Sequence, residues 1–492
     1  EGLLYKKPYI ESSPIYKTVK DGILKSKIPE WLKKFFHELS EAGLGVYSSP
    51  FTHQIKALEH AFNGNDICVS TGTGSGKTEC FTWPVLADIA CEAHNSPDTW
   101  QERGIRAVIM YPMNALVSDQ VSRLRKLIGD HNGRFLRIFR ENFGYNSRCP
   151  QFGMYTGRTP YPGREPKTPE DRKLEKTLRE IALPADESKE KFFRTLLAEG
   201  KIPAKSNMAA FLKRLHDSEH TPDYDDAELV TRFEMQKYCP DILITNYSML
   251  EYMLLRPIEA KIWDSTKKLL EHRENKILFI IDEAHMYKGS AGGETALLIR
   301  RFMHKLNISR EKVQFILPTA SMPDSSEQNR INVMNFLNDL TSSPDGKKFI
   351  YLRGDQEDIS GLAKYDIAIN KFTSCSSERL ETAEYQLEEL NKFWIGITNS
   401  KAPFESIESA CEWLYQNIAQ YKPFNKVFKL CRGNAVSLNE IAEAVFPDTD
   451  INTALYGLCV LLSISVLARD VNGSVLFPAR IHMLFKGIKG GL

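Results

Sequence analysis

Eight residues, Thr71-Gly72-Thr73-Gly74-Ser75-Gly76-Lys77-Thr78, lie between an apolar run at 66–70 (DICVS) and a segment of helical character at 79–85. Glycines at alternate positions let successive backbone N–H groups turn inward on one anion. A helix opening at the end of the loop adds its partial positive charge. In such a cradle Thr73, Gly74, Ser75 and Gly76 surround a triphosphate, Lys77 reaches its outer phosphates, and the Thr78 hydroxyl coordinates Mg²⁺. The first position of the pattern is ordinarily Gly and here is Thr71. A glycine-rich turn without chemistry is the competing reading; the strand–loop–helix setting with Gly-Lys-Thr argues against chance.

Far downstream, Asp282-Glu283-Ala284-His285 directly follows the run 277–281 (ILFII). An Asp at the end of a buried strand can hold Mg²⁺ through water, and the neighbouring Glu can orient or deprotonate an attacking water. Asp and Glu also commonly open helices, so the tetrapeptide alone reads as easily as a capped strand end. Its combination with a phosphate loop, each at the carboxyl end of an apolar strand, selects the catalytic reading, because ligands of open parallel sheets bind at those ends. The candidate catalytic residues are therefore Lys77, Asp282 and Glu283, the metal ligands Thr78 and Asp282, and the cofactors ATP and Mg²⁺.

The elements that must position these groups follow a simple alternation. Short apolar runs at 66–70, 106–111, 152–156, 241–245, 277–281 and 313–317 are separated by longer helical patterns. Continuous apolar strands with intervening helices predict an α/β fold, a parallel sheet sandwiched between helices, over 46–325. The Lys- and Glu-rich stretch at about 164–230 predicts a helical insertion ending in a solvated acidic loop at 217–228. Residues 1–45 hold one amphipathic helix around 29–42, with Trp31, Phe35, Phe36 and Leu39 at helical spacing, and read as a separate N-terminal helical segment. After Pro323 the strand grammar ends, leaving a helical connector at 326–420. Residues 421–492 read as two helices and a hairpin turning at Asn472-Gly473, an α+β module of winged-helix type; a small packing module is the alternative.

Composition narrows the classes. A 42% hydrophobic, 26% charged chain has ample sequence for large cores, and a net charge of +1 means that nucleic-acid affinity must come from local basic surface. The nine cysteines are scattered without a CxxC pair, which points to reduced thiols in a cytoplasmic protein and away from zinc. The apolar run 455–468 is too short to span a bilayer. The N-terminus lacks an apolar signal core and an initiator Met, as expected of a trimmed start.

The 73–78 loop and the 282–285 tetrapeptide resemble motifs I and II of superfamily 2 DEAD/DEAH-box helicases, whose first lobe is RecA-like. Further segments fall in that family's order. Phe51-Thr52-His53-Gln54 resembles the Q motif, which makes Gln54 the purine contact. Tyr111-Pro112-Met113-Asn114-Ala115-Leu116 resembles motif Ia, Thr156-Gly157-Arg158-Thr159 the strand-contact motif that follows it, and Thr245-Asn246-Tyr247-Ser248-Met249-Leu250 a further strand-gripping motif. The resemblance implies that Pro112, Asn114, Gly157, Arg158, Thr159, Thr245 and Asn246 meet nucleic acid. Short side chains and free N–H groups at strand ends suit phosphate contacts, which let a motor step along any sequence. Arg158 is equally readable as an ordinary surface arginine. Thr319-Ala320-Ser321 resembles motif III in inverted order; the resemblance adds His285 to the catalytic residues, where a lone His would read as a core residue, and Thr319 and Ser321 would couple nucleotide state to strand grip through it. His53 and Met286 read as packing residues.

The segments TNYSMLEYMLLRP and ARIHMLFKGIKGGL are most similar to the large bacterial branch containing MrfA-like repair helicases and phage-defence helicases of the Druantia and DISARM kinds. Membership implies 3′→5′ movement on DNA and partners in a defence or repair complex, with no membrane. No Gln-x-x-Gly-Arg-x-x-Arg-like segment follows Ser321. The expectation is therefore the front half of a motor. It should turn over slowly alone, because second-lobe arginines are worth about 10³–10⁵ in rate in related NTPases. The alternative is an ATP-gated nucleic-acid-binding scaffold without unwinding activity; the presence of both Lys77 and Glu283 favours the enzyme. A nuclease reading finds no further carboxylate cluster.

Overall fold

The computed structural model describes residues 8–12, 16–72, 74–161, 163, 168–183, 187–274, 276–320, 327–343, 349–356, 362–398, 404–469 and 475–482. The chain divides into two compact units, Thr18–Gly354 and Glu1–Lys17 with Asp355–Leu492.

The Thr18–Gly354 unit is built on eight strands: β1 (Ile67–Ser70), β2 (Ala107–Tyr111), β3 (Phe152–Tyr155), β4 (Glu228–Leu229), β5 (Ile242–Asn246), β6 (Ile277–Ile281), β7 (Val313–Thr319) and β8 (Ile350–Arg353). They hydrogen-bond in the order β4-β3-β5-β2-β6-β7-β1-β8, and the pairings are parallel throughout. The apolar runs form a parallel sheet because successive side chains point to opposite faces and both faces are covered. Ala107, Ile109 and Tyr111 of β2 enter one core; Val108 and Met110 enter the other. This is the expected α/β architecture, a parallel sheet sandwiched between helices.

The first core packs α1 (Thr52–Phe62), α2 (Glu79–Asn95) and α3 (Asn114–Leu127) on one face. The helix Glu30–Glu41, read from sequence as part of a separate segment, belongs to this core. Its Leu32, Phe35, Phe36 and Leu39 are fully buried, and Phe35 meets Phe135, Phe139 and Phe143 edge-on. Strand grammar also extends past Pro323: β8 adds to β1 in register Ile67↔Ile350. It was illegible as a strand because it sits at the sheet edge, where only Leu352 is deeply buried and no continuous apolar run is required.

The insertion is helical, as expected: α4 (Thr168–Ala182), α5 (Glu187–Ala198) and α6 (Met208–His216) precede β4, and α7 (Arg232–Tyr238) follows it. Its acidic stretch is not wholly solvated. Asp226 and Glu228 are buried, because Lys205 Nζ lies 3.2 Å from Asp226 and 2.6 Å from Glu234, while Arg125 clamps Glu228 at 2.7 Å. Burial of charge is tolerated when paired.

A second buried ionic network ties the opposite, amino-terminal ends of the strands. Arg106 donates to both Glu92 oxygens and, at 2.9 Å, to Asp241; Arg148 donates twice to Asp241 at 2.6 Å; Arg273 joins Glu92 and Asp88.

In the other unit the strand Tyr9–Ser12 lies between Val436–Ser437 and Ala479–His482, antiparallel to both. The helices Lys422–Cys431, Leu438–Val445 and Ile451–Leu467 bury Phe424, Phe428, Ile441, Leu458 and Leu461 in one core. The expected hairpin turn at Asn472-Gly473 lies outside the described residues, and a single antiparallel bridge joins Arg469 to Val475 beside it. The three-stranded sheet takes its central strand from the far N-terminus, a long-range pairing that no local pattern encodes.

Candidate functional site

Because every strand of the large sheet runs the same way, all carboxyl ends meet at one edge. Strand order then sorts the loops into two neighbouring groups. β6, β7 and β1 bring together Asp282–His285, Thr319-Ala320 and the 71–78 loop; β3, β5 and β2 bring together 156–159, Thr245-Asn246 and 112–114. Thr73 and Ser321 lie outside the described residues.

The phosphate-type loop turns through Gly74 (φ +79°) and Gly76 (φ +67°), both in the left-handed region that favours glycine. Gly76 is required twice, since a Cβ there would lie 2.2 Å from Gln54 Nε2. Ser75 Oγ donates within the loop, 2.6 Å from Thr71 Oγ1 and 2.7 Å from the Gly72 carbonyl. Thr71, the departure from the usual first glycine, thus supplies a hydroxyl that helps shape the loop. Thr78 opens α2.

Lys77 Nζ lies 3.4 Å from Glu283 Oε1. The other oxygen of Glu283 accepts from the Ala320 N–H at 3.2 Å and sits 3.3 Å from His285 Nδ1, which is itself 3.0 Å from Thr319 Oγ1. Glu283 also adopts φ +48°, a conformation rare outside glycine. The Asp282 carboxylate accepts the Glu283 N–H at 2.8 Å. Burial at the strand end pushes the Asp282 carboxyl up to about 6 and Glu283 adds to this, while the Glu283 N–H and Lys77 pull the other way. The structure therefore brings Lys77, Thr78, Asp282, Glu283, His285 and Thr319 to one place.

Gln54 is placed beside the loop but is fully buried. Its Oε1 accepts the Phe51 N–H at 2.9 Å at the start of α1, and its Nε2 donates to the Gly76 carbonyl at 3.1 Å. Both ends of the amide are engaged with protein. His53, read from sequence as packing, contributes its Nε2 to the Ser75 carbonyl at 2.8 Å and stacks on Phe51. Glu79 was also missed. Its carboxylate lies 3.4 Å from Gln54 Nε2 and 3.7 Å from Arg123 Nη1. Only the one-residue spacing from Thr78 hinted at it.

A cavity of about 580 Å³ opens beside the first turn of α2, lined by Tyr47, Thr78, Glu79, Thr82, Arg123 and Lys201 among others. Tyr47 is half exposed; burial and then Glu79 push its phenol up. Another cavity, of about 480 Å³, lies at the opposite edge around Gly64, Asp88, Cys91 and Lys276 and is lined by none of the candidate site residues.

In the second group Asn246 Nδ2 donates to Asn114 Oδ1 at 2.6 Å, while Asn246 Oδ1 caps the helix α8 (Tyr247–Leu255) through the Met249 N–H. Thr159 and Thr245 are buried and donate to the carbonyls of Met154 and Tyr155. They shape the edge. Gly157 and Arg158 are exposed, a Cβ on Gly157 would meet open space, and Pro112 is half-buried beside exposed Met113.

Residues 51–146 match the DEAD/DEAH box helicase family. The chain is 35% identical to the Druantia protein DruE of Escherichia coli over 98% of its own length and 27% of that protein. It is 36% identical over 80 residues to the uncharacterized ATP-dependent helicase YprA of Bacillus subtilis, covering 16% of this chain and 9% of that one. The DUF1998 helicase MrfA, solved bound to DNA and AMPPNP, aligns at 17% identity with TM-score 0.36, over 85% of this chain and 42% of that one. The chain thus spans about a quarter of DruE. With its eight-stranded parallel sheet and the motif residues gathered at one edge, the chain carries a DEAD/DEAH helicase domain.

Proposed function

We propose that this chain is the nucleotide-binding lobe of an ATP-dependent helicase or translocase acting on DNA. The observation that carries the reading is the Lys77–Glu283 contact, which joins the loop after β1 to the end of β6 across β7. The donor set fits a Mg²⁺-bound triphosphate: backbone N–H groups of a glycine-turned loop, one ammonium, the Thr78 hydroxyl and the Asp282 carboxylate. Mg²⁺ keeps several waters and phosphate oxygens, so few protein ligands suffice; among the described residues no group of three or more His, Cys, Asp or Glu is arranged to hold a metal. The bound nucleotide supplies the phosphoryl group whose hydrolysis drives the cycle.

Lys77 would exchange Glu283 for phosphate, leaving Glu283 to orient and deprotonate water. The Ala320 N–H and His285 then hold the carboxylate and report its state to Thr319. With Gln54 committed to the loop, the base would sit in the cavity against Tyr47. On the neighbouring edge Asn114, Gly157 and Arg158 would take nucleic-acid phosphates. Assignment to DNA, in phage defence or repair, follows from the resemblance of TNYSMLEYMLLRP and ARIHMLFKGIKGGL to the MrfA-, Druantia- and DISARM-type branch, and the 35% identity to a Druantia protein along 98% of the chain supports that branch.

The test is Glu283→Gln in the full-length protein, with single-stranded DNA and RNA in parallel. ATP should still bind while turnover falls by about 10²–10⁴, the usual worth of a general base, and strand displacement stops. An undiminished rate ends the motor reading. Retained biological function without turnover would instead favour an ATP-gated scaffold.

A further inference from the structure

Tyr161 is a buried tyrosine with φ +71°, a left-handed backbone that side-chain-bearing residues adopt only when their surroundings hold them there. It ends the loop whose exposed tip is Gly157-Arg158. Its ring stacks on Phe233 of α7 at 5.3 Å and 11° between planes and meets His220 edge-on at 5.6 Å. His220 lies 3.4 Å from the buried carboxylate of Asp171 on α4, and Phe211, Leu212 and Leu215 of α6 close the cluster. Burial, followed by Asp171, pushes the Tyr161 phenol up.

The neighbouring Arg232 holds the loop from the same side. Its Nη2 donates to the Thr156 carbonyl at 2.7 Å and its backbone N–H to the Pro160 carbonyl at 3.3 Å. The helices α4 and α6, the 217–228 stretch and α7 therefore converge on one loop residue, while Gly157 and the Arg158 side chain stay exposed and Thr156 Oγ1 accepts the Arg158 N–H at 3.2 Å.

We propose that the helical insertion braces the 156–160 loop through Tyr161, making Tyr161 a positioning residue for nucleic-acid contact by Gly157 and Arg158. The inference rests on the reading of that loop as strand-contacting. Backbone N–H groups and a guanidinium grip phosphates only when fixed in relation to one another, since an unbraced loop must be ordered at binding. ATP binding is carried by loops on the other half of the sheet and should not respond.

The experiment measures affinity for a fluorescent oligo-dT and for MgADP in the full-length protein at fixed salt. Arg158→Ala should weaken oligonucleotide binding about tenfold, the worth of one charge-assisted hydrogen bond. Tyr161→Ala should weaken it severalfold with MgADP affinity unchanged, and Tyr161→Phe should bind as the parent does. Combined with Arg158→Ala, Tyr161→Ala should add less than about twofold, because groups acting through one contact are not additive. Phe233→Leu removes the stacking while keeping apolar volume and should mimic Tyr161→Ala.

Parent-like binding by Tyr161→Ala and Phe233→Leu alongside a weakened Arg158→Ala would overturn the brace. So would fully multiplying effects, or a parallel loss of MgADP affinity, which mark a general loss of folding. A silent Arg158→Ala would overturn the strand-contact reading of the loop, and the brace with it.

Discussion

Lys77 and Glu283 stand 206 positions apart in the chain and 3.4 Å apart in the fold. The pair is partly shielded, with side chains 13% and 21% exposed, so the attraction is less screened than at an open surface. An ammonium already paired with a carboxylate is held in its cradle before any phosphate arrives. Replacing that carboxylate by a polyanion is an exchange of partners, not the desolvation of a free charge.

Lys77→Ala should therefore weaken nucleotide binding by about 1.5–3 kcal/mol, the range for hydrogen bonds to charged groups. Titration calorimetry with MgADP and with a non-hydrolysable triphosphate would read it. Lys77→Arg should not restore affinity, because the planar fork does not fit a cradle built for a point charge. Full binding by Lys77→Ala would remove the triphosphate from this loop.

Gly76→Ala places a methyl group 2.2 Å from Gln54 Nε2 and forces a left-handed backbone on alanine. Handedness alone costs roughly 1–2 kcal/mol, and the clash breaks the Gln54–Gly76 bond. The expected result is a lower denaturant midpoint together with weakened MgADP binding. Gln54→Ala removes the clashing amide and should partly rescue stability in the double variant.

Tyr47→Ala separates the base from the phosphates. If the purine stacks in the cavity beside α2, MgADP affinity should fall by about tenfold, since stacking on an aromatic is worth about 1–3 kcal/mol per base. Affinity for Mg-tripolyphosphate, which has no base, should be unchanged. Equal losses for both ligands would mean that Tyr47 supports the loop and does not seat the base.

Asp241→Asn should destabilise the Thr18–Gly354 unit by about 3–5 kcal/mol, the cost of removing one partner from a buried pair. Burial alone would raise the Asp241 carboxyl, but Arg148 and Arg106 outweigh it and hold it below the usual range; Arg273 and Arg106 do the same for Glu92. Groups with lowered folded values contribute stability above their unfolded values. They lose it as pH falls through the folded ones, so acid unfolding should set in below about pH 4. Urea midpoints between pH 3 and pH 7 would show a steeper acid limb for the parent than for Asp241→Asn.

The sequence by itself determined what is local. Gly74, Gly76 and Lys77 declare an anion loop because positive φ, free N–H groups and a charge are needed within a few residues. The apolar runs declare parallel strands because both faces must be buried, and Asp282-Glu283 is legible as the acidic pair at such a strand's end. Tertiary structure decided everything that depends on strand order or distant partners. It set β7 between β6 and β1, so that Thr319 meets His285, and it turned Gln54 inward onto Gly76. It buried Asp226 and Glu234 around Lys205, and drew the strand Tyr9–Ser12 to Val436–Ser437 and Ala479–His482. Such pairings leave no periodic trace in either partner, because the free energy that selects them arises only when both reach the same place.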